Sequence, residues 1–242
     1  AKLGDEFNRL FNSIFDQAEE CMEIIRILGK RHAGYTRQEL AEKAKMNANG
    51  GFTKMLKALI GSDFIIKYVP FGASNREEHY KLKDSFCWFW LHFKEDKDIK
   101  QEDYWQHHLK ESEITAWRGI AFEEVCLQHI RQIKQALQIG GISSMESAYI
   151  VRGERNTEGL QIDLIIDRSD DVANLCEMKY SKAPYTITSN YATYLIQRKE
   201  AMEALFHDKT FLLTYIGSSP LAENEYSDTF PCQVTLDGLF IS

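Results

Sequence analysis

Residues 160–167 read Leu-Gln-Ile-Asp-Leu-Ile-Ile-Asp, with Ile162, Leu164 and Ile166 on one parity and Asp163 and Ile165 on the other. Alternation with period two marks a strand rather than a helix. Residues 169–172 form a turn, and a second alternating run follows at 175–180. There Glu177 and Lys179 share one face, and Cys176 and Met178 share the other. Two such runs around a short turn predict an antiparallel hairpin. A turn centred on Asp170 sets Asp163 opposite Glu177, and directly opposed residues have Cβ atoms about 5 Å apart. This hairpin constrains the fold more than any other segment.

Two carboxylates that close repel unless something positive lies between them. A divalent cation is one solution and a shared proton is another. Lys179, on the same face, can help neutralise the pair. An acid pair with a lysine suits metal-assisted phosphodiester hydrolysis: a hard cation takes oxygen ligands, lowers the pKa of a bound water and neutralises the phosphate. The lysine can position that water or stabilise the developing oxyanion. The same residues also make an ordinary solvated sheet face with a cross-strand salt bridge. Against that, Asp163 and Glu177 are set among β-branched and apolar neighbours, where unpaired acids are costly.

Around the hairpin, residues 116–137 carry Phe122, Val125, Cys126, His129, Ile130, Ile133 and Leu137 at helical spacing, which predicts one long amphipathic helix. Glu123 and Glu124 stand near its start, and Gly140-Gly141 stops it. A short strand is expected at 148–151. Tyr191, Tyr194, Leu195, Arg198, Met202, Leu205 and Phe206 mark a later helix. Residues 210–216 form an apolar strand of the kind found in a sheet centre, and 233–240 a last strand or helical turn. The expected order from residue 116 is α-β-β-β-α-β.

The first third is helical. Residues 5–17 and 19–29 each have an apolar helical face. Thr36, with Glu39 three residues on, forms a capping box opening a helix at residues 37–45. A turn at 47–51 leads to a second helix with Phe52, Met55, Leu56 and Leu59 apolar. Strands at 64–69 and 78–83 flank a turn at 70–75. This is the element order of a winged helix-turn-helix. Its recognition helix would carry Lys54 and Lys57 on one face, with Arg76 at the wing tip, where they could meet phosphates. A packing module that binds protein is the other reading. Residues 84–93 hold Phe86, Trp88, Phe89, Trp90 and Phe93, and read as a buried helix closing this module. Residues 94–115 are charged and form a connection, so the expected domains are 1–93 and 116–242.

The net charge of −7 argues against a nucleic-acid partner only as an average. Residues 1–93 carry 14 Lys+Arg and 12 Asp+Glu, a balance of +2; residues 94–242 carry 15 and 24, a balance of −9. No apolar run approaches a membrane span, and Ala1 is not followed by a signal-like segment, so a cytoplasmic protein is expected. The five cysteines have no C-x-x-C spacing and read as core side chains. His107-His108 reads as a surface pair. No G-x-x-x-x-G-K-[ST] segment is present, so no ATP site is expected within these residues.

The hairpin with Asp163 and Glu177-Met178-Lys179, behind a helix bearing Glu123, resembles the PD-(D/E)XK nuclease superfamily. The resemblance implies metal-binding acids at Asp163 and Glu177, a catalytic lysine at Lys179, and a first-helix acid at Glu123, with Glu124 as the alternative. Gln197 or Arg198 matches the polar residue of the following helix. Over nearly the whole chain, Gly4-Asp5-Glu6-Phe7-Asn8-Arg9-Leu10-Phe11, the winged-helix pattern, Asp84 with Phe89-Trp90, Gly119 with Phe122-Glu123 and Cys126, and the Ile162-Asp163-Leu164 and Glu177-Met178-Lys179 core are similar to the C-terminal half of a family of archaeal and bacterial AAA-type (STAND-like) ATPases. That implies an α+β protein, a winged helix followed by a PD-(D/E)XK nuclease-like domain with a mixed sheet. It also implies a P-loop ATPase domain preceding Ala1, a Mg²⁺ or Mn²⁺ cofactor and a nucleic-acid partner. The alternative is a catalytically inactive nuclease fold serving, with the winged helix, as a DNA- or protein-binding regulatory module.

Overall fold

A computed structural model describes residues 6–74, 77–93, 112–151 and 160–240. The chain is α+β and divides into two compact units, Ala1–Ile114 and Thr115–Ser242.

In the first unit, α1 (Glu6–Ile14) and α2 (Ala18–Leu28) bury Phe7, Phe11, Cys21, Ile24, Ile25 and Leu28. A two-residue strand β1 (Tyr35–Thr36) precedes α3 (Arg37–Lys43) and α4 (Gly50–Gly61). The Thr36 hydroxyl accepts from the Glu39 amide while the Glu39 carboxylate accepts from the Thr36 amide, so the expected capping box is formed. Asn49 caps α4 by accepting from the Phe52 amide. Arg37 fixes the turn between α3 and α4. One guanidinium nitrogen donates to the Ala48 carbonyl (3.0 Å), the Asn49 carbonyl (3.2 Å) and the Thr53 hydroxyl (2.9 Å).

Strands β2 (Ile65–Tyr68) and β3 (His79–Leu82) pair antiparallel, and β1 adds to the far side of β3, giving the order β1-β3-β2. The sequence pattern anticipates β2 and β3 but not β1, which is too short to show a period. Its docking depends on Gly34, at φ +69°, where a Cβ would lie 2.0 Å from the Tyr80 carbonyl oxygen. Helix α5 (Ser85–Phe93) buries Cys87, Trp88, Trp90 and Phe93. The Trp90 ring stacks on Phe7 at 4.0 Å and 8°.

The second unit begins within α6 (Ser112–Gln128), which α7 (Ile130–Ala136) follows. The single long helix expected over 116–137 is therefore two. The break is at His129, whose imidazole Nδ1 donates to the Val125 carbonyl at 2.8 Å, while its own amide turns to Cys126. The side chain thus occupies the acceptor that an unbroken helix would give to the backbone N–H. The sheet holds β4 (Ser144–Val151), β5 (Leu160–Arg168), β6 (Val172–Lys179), β7 (Thr210–Gly217) and β8 (Cys232–Thr235), in that spatial order. The β4-β5-β6 part is antiparallel and β6-β7-β8 is parallel, so the sheet is mixed. Helix α8 (Ser189–Leu205), capped by Thr188, makes the crossover from β6 to β7. A 3-10 turn over Leu236–Phe240 closes the described chain. The order from α6 is therefore α-α-β-β-β-α-β-β. Compared with the expected order, it adds the second half of the split helix, and the segment expected at 233–240 as a last strand or helical turn is β8 followed by that turn.

Phe122, Cys126 and Ile133 pack with Leu164, Ile166, Cys176, Met178, Ile216 and Val234 in one core. All five cysteines are free; Cys232 is half-buried and the others are buried. Among the described residues, no helix is long and apolar enough to cross a membrane.

Candidate functional site

The β5–β6 ladder runs from Asp167↔Ala173 to Leu164↔Cys176. Asp163 and Glu177 are the next residues beyond it, in the register that the sequence sets. Here the two strands part company. Glu177 continues in the parallel ladder with β7, opposite Tyr215, and Lys179 lies opposite Gly217. The backbone of β5 at this fork is served by a side chain: Arg198 of α8 donates to the Gln161 carbonyl.

The two acids that the spacing brings to one level are held by different partners. Asp163 accepts from the Gln161 side-chain amide at 2.6 Å. Its carboxylate and that of Glu123, from α6, offer oxygens within 4.8 Å of each other. The neighbouring Glu124 is buried, at 4% exposure, so Glu123 is the helix acid that meets Asp163.

Glu177 has donors at both oxygens. Oε1 takes the Lys179 ammonium at 2.6 Å and the Tyr191 hydroxyl. Oε2 takes the Arg198 guanidinium at 3.0 Å. The Glu177 and Arg198 side chains are 15% and 10% exposed, whereas Lys179 keeps 31%. Lys179 is therefore the most exposed of these three charged groups. Its ammonium also sits 5.3 Å from the centre of the Tyr191 ring, and the Arg198 guanidinium lies 5.2 Å from that of Tyr194.

These contacts decide the charge states. Burial would raise the Glu177 carboxyl, but Lys179 and then Arg198 outweigh it, with hydrogen bonds from Lys179 and Tyr191, and hold it below the ordinary carboxylate range. Burial would lower the Lys179 ammonium, but Glu177, and more weakly Tyr185 and Glu123, raise it above its ordinary value. Lys179 is thus a cation at neutral pH and acts as a charge, not as a base. Burial and Glu177 push the Tyr191 phenol well up, so it remains a neutral donor.

A carboxyl held low in the folded state adds stability above its unfolded pKa of about 4.3 and loses that contribution as pH falls through its folded value. The melting temperature is therefore expected to fall steeply below about pH 4. Glu177→Gln is expected to flatten that part of the profile. Circular dichroism melts across pH 2–7 check both; an unchanged acid slope in Glu177→Gln would show that this carboxyl does not set it.

Lys54 and Lys57 are exposed on α4, opposite its buried Phe52, Leu56 and Leu59. Arg76, the His107-His108 pair and most of the 94–115 connection lie outside the described residues. Of the two candidates on α8, Gln197 is exposed and Arg198 enters the site. Sequence reasoning placed Tyr191 only as a helix-face residue. Its separation of seven from Arg198 on one helix is the signal that could have linked the two.

No family model and no curated protein sequence matches this chain. Among solved structures, a crystal structure of a protein of unknown function, AF1548, is similar at 18% sequence identity, with a TM-score of 0.34. The match covers 48% of this chain and 64% of that one, so the chain spans less than two thirds of AF1548.

Proposed function

We propose that the second unit is a metal-dependent phosphodiester hydrolase of the PD-(D/E)XK type, acting on DNA or RNA. The observation that carries this is the approach of the Glu123 and Asp163 carboxylates to within 4.8 Å, beside a lysine kept charged on the adjoining strand.

The residues fit a hard cation. Two oxygens on one Mg²⁺, each at about 2.1 Å, lie at most about 4.2 Å apart. Small side-chain rotations of Glu123 and Asp163 would meet that limit. Such a cation, when bound, would lower the pKa of a bound water and neutralise charge on the phosphate. Lys179 would donate to a phosphate oxygen as negative charge develops there. In the first unit, read as a winged helix-turn-helix, Lys54 and Lys57 would meet the nucleic-acid backbone. In the AAA-type ATPases that the sequence resembles, ATP hydrolysis would be the work of the preceding P-loop domain.

A second reading, a nuclease fold kept as a DNA- or protein-binding regulatory module, is favoured by the donors already present at both oxygens of Glu177. Cleavage assays on single- and double-stranded DNA and RNA with Mg²⁺ or Mn²⁺ separate the two. The nuclease reading expects cleavage that EDTA abolishes and that Asp163→Ala loses. Absence of cleavage on every substrate, with no metal bound by calorimetry, would leave the regulatory module.

A further inference from the structure

Taking the second unit as a metal-dependent nuclease, we propose that Tyr185 contacts the substrate, its hydroxyl donating to an oxygen of the phosphodiester that Lys179 meets. Tyr185 belongs neither to the hairpin nor to α8; it lies in the segment between them.

Strands β6 and β7 run parallel and end level with each other, Lys179 opposite Gly217. In open α/β sheets, ligands bind outside the carboxyl ends of the parallel strands. The segments that follow the two strands are tied together there. The Ser181 amide donates to the Ser218 hydroxyl at 2.8 Å, and the Ser218 and Ser219 hydroxyls donate to the Ser181 carbonyl. Four residues on, the Tyr185 amide donates to the Pro220 carbonyl and the Tyr185 carbonyl accepts from the Ala222 amide, both at 2.9 Å. These two bonds make a parallel bridge to Leu221. A residue of an irregular segment thus has both of its backbone groups fixed.

The Tyr185 ring is fixed as well. It stacks on Tyr215 at 6.1 Å and 24°, and meets Tyr191 edge-on at 6.3 Å and 74°. Tyr215 is fully buried, and its hydroxyl donates to the Ser219 carbonyl at 2.8 Å. Gly217 makes room for that side chain: a Cβ there would lie 2.1 Å from the Tyr215 hydroxyl oxygen. Tyr191 donates to Glu177, and the Lys179 ammonium sits 5.3 Å from the centre of its ring. Tyr185 and Lys179 are therefore neighbours of one ring. Burial lowers the Lys179 ammonium, but Glu177 and then Tyr185 raise it, so the Tyr185 phenol is near that charge.

The hydroxyl is the part of Tyr185 that the fold does not use. Tyr191 gives its hydroxyl to Glu177, and Tyr215 gives its own to Ser219. Among the described residues, none accepts from the Tyr185 hydroxyl or donates to it, and the side chain is half-buried. A donor already held in place loses little freedom on binding. A charged phosphate oxygen is the acceptor that makes its hydrogen bond strongest.

The test uses the full chain with Mg²⁺ and an oligonucleotide that wild type cleaves. Tyr185→Phe keeps both ring contacts and both backbone bonds and removes the donor alone. Its melting temperature is expected to match wild type, because no internal hydrogen bond is lost. Its kcat/KM is expected to fall about 10–100-fold, the range for a hydrogen bond to a charged group. Cleavage within about twofold of wild type, or a melting temperature lowered by about 3 °C or more, overturns the proposal while the nuclease reading stands.

A phosphorothioate at the cleaved linkage separates contact from a structural role. Sulfur accepts hydrogen bonds poorly, so one diastereomer is expected to slow wild type more than it slows Tyr185→Phe. Equal slowing of both proteins by each diastereomer overturns the contact. A wild-type protein that cleaves no DNA or RNA with Mg²⁺ or Mn²⁺ overturns the nuclease reading and this inference with it.

Discussion

Lys179→Met is expected to slow metal-dependent phosphodiester cleavage by about 10²–10³-fold, the usual cost of removing one charged or polar group that stabilises a transition state. Methionine keeps an unbranched apolar stem in place of the lysine's and removes the ammonium, with its contact over the Tyr191 ring. Arg198 and Tyr191 remain on Glu177, so the carboxylate is not left without donors. The stability cost is therefore expected to be small, about 1 kcal/mol. The loss should appear in kcat at saturating substrate, and metal affinity should not fall. Single-turnover cleavage and a metal titration of the same preparation measure both. A variant that cuts within about threefold of wild type would remove Lys179 from the chemistry and leave it only a salt-bridge partner.

Gly34→Ala is expected to be the most damaging small substitution in the first unit. The residue is at φ +69°, a region where a Cβ is strained, and the built Cβ falls 2.0 Å from the Tyr80 carbonyl oxygen and 2.7 Å from its carbon. These are backbone atoms of β3, so no side-chain rotation relieves the clash. The chain can accommodate alanine only by withdrawing β1 from Tyr80 and His79, its partners in the ladder. Left-handed strain and overpacking together put the cost at about 3 kcal/mol or more. Chemical denaturation should show a lower midpoint, and hydrogen exchange should show faster exchange at Tyr35 and Tyr80. Stability within about 0.5 kcal/mol of wild type would mean that the β1 contact is dispensable.

The parts of the fold legible in the sequence are those with local causes. The β5–β6 register follows from alternation around a short turn, and it brought Asp163 and Glu177 to the same level. The Thr36 and Glu39 capping box follows from their spacing alone. The strand β1 escaped because two residues carry no period. The break at His129 escaped because its apolar neighbours continue the helical pattern; the cause is a side-chain hydrogen bond to Val125 that no hydrophobicity pattern encodes. The partners of Glu177 are harder still. Tyr191 and Arg198 arrive from a helix beyond the hairpin, and only packing of α8 on the sheet reveals that they converge on one carboxylate. Glu123, which the resemblance already preferred to Glu124, offers an oxygen within 4.8 Å of Asp163, while Glu124 is buried.

The parallel pairing of β6 with β7 has a bearing on how the chain assembles. The β5–β6 hairpin closes over three residues, 169–171, whereas Val172 meets Thr210 only after α8 has crossed over. Local closure is fast, and long-range parallel closure is slow. Nascent β6 therefore acquires its neighbour on one side well before the other. During that interval Glu177 has Lys179 from its own strand but neither Tyr191 nor Arg198. The order of synthesis thus leaves the acid strand with a bare edge until the crossover helix arrives, and that stage is when a newly made chain is most open to pairing with another copy of itself.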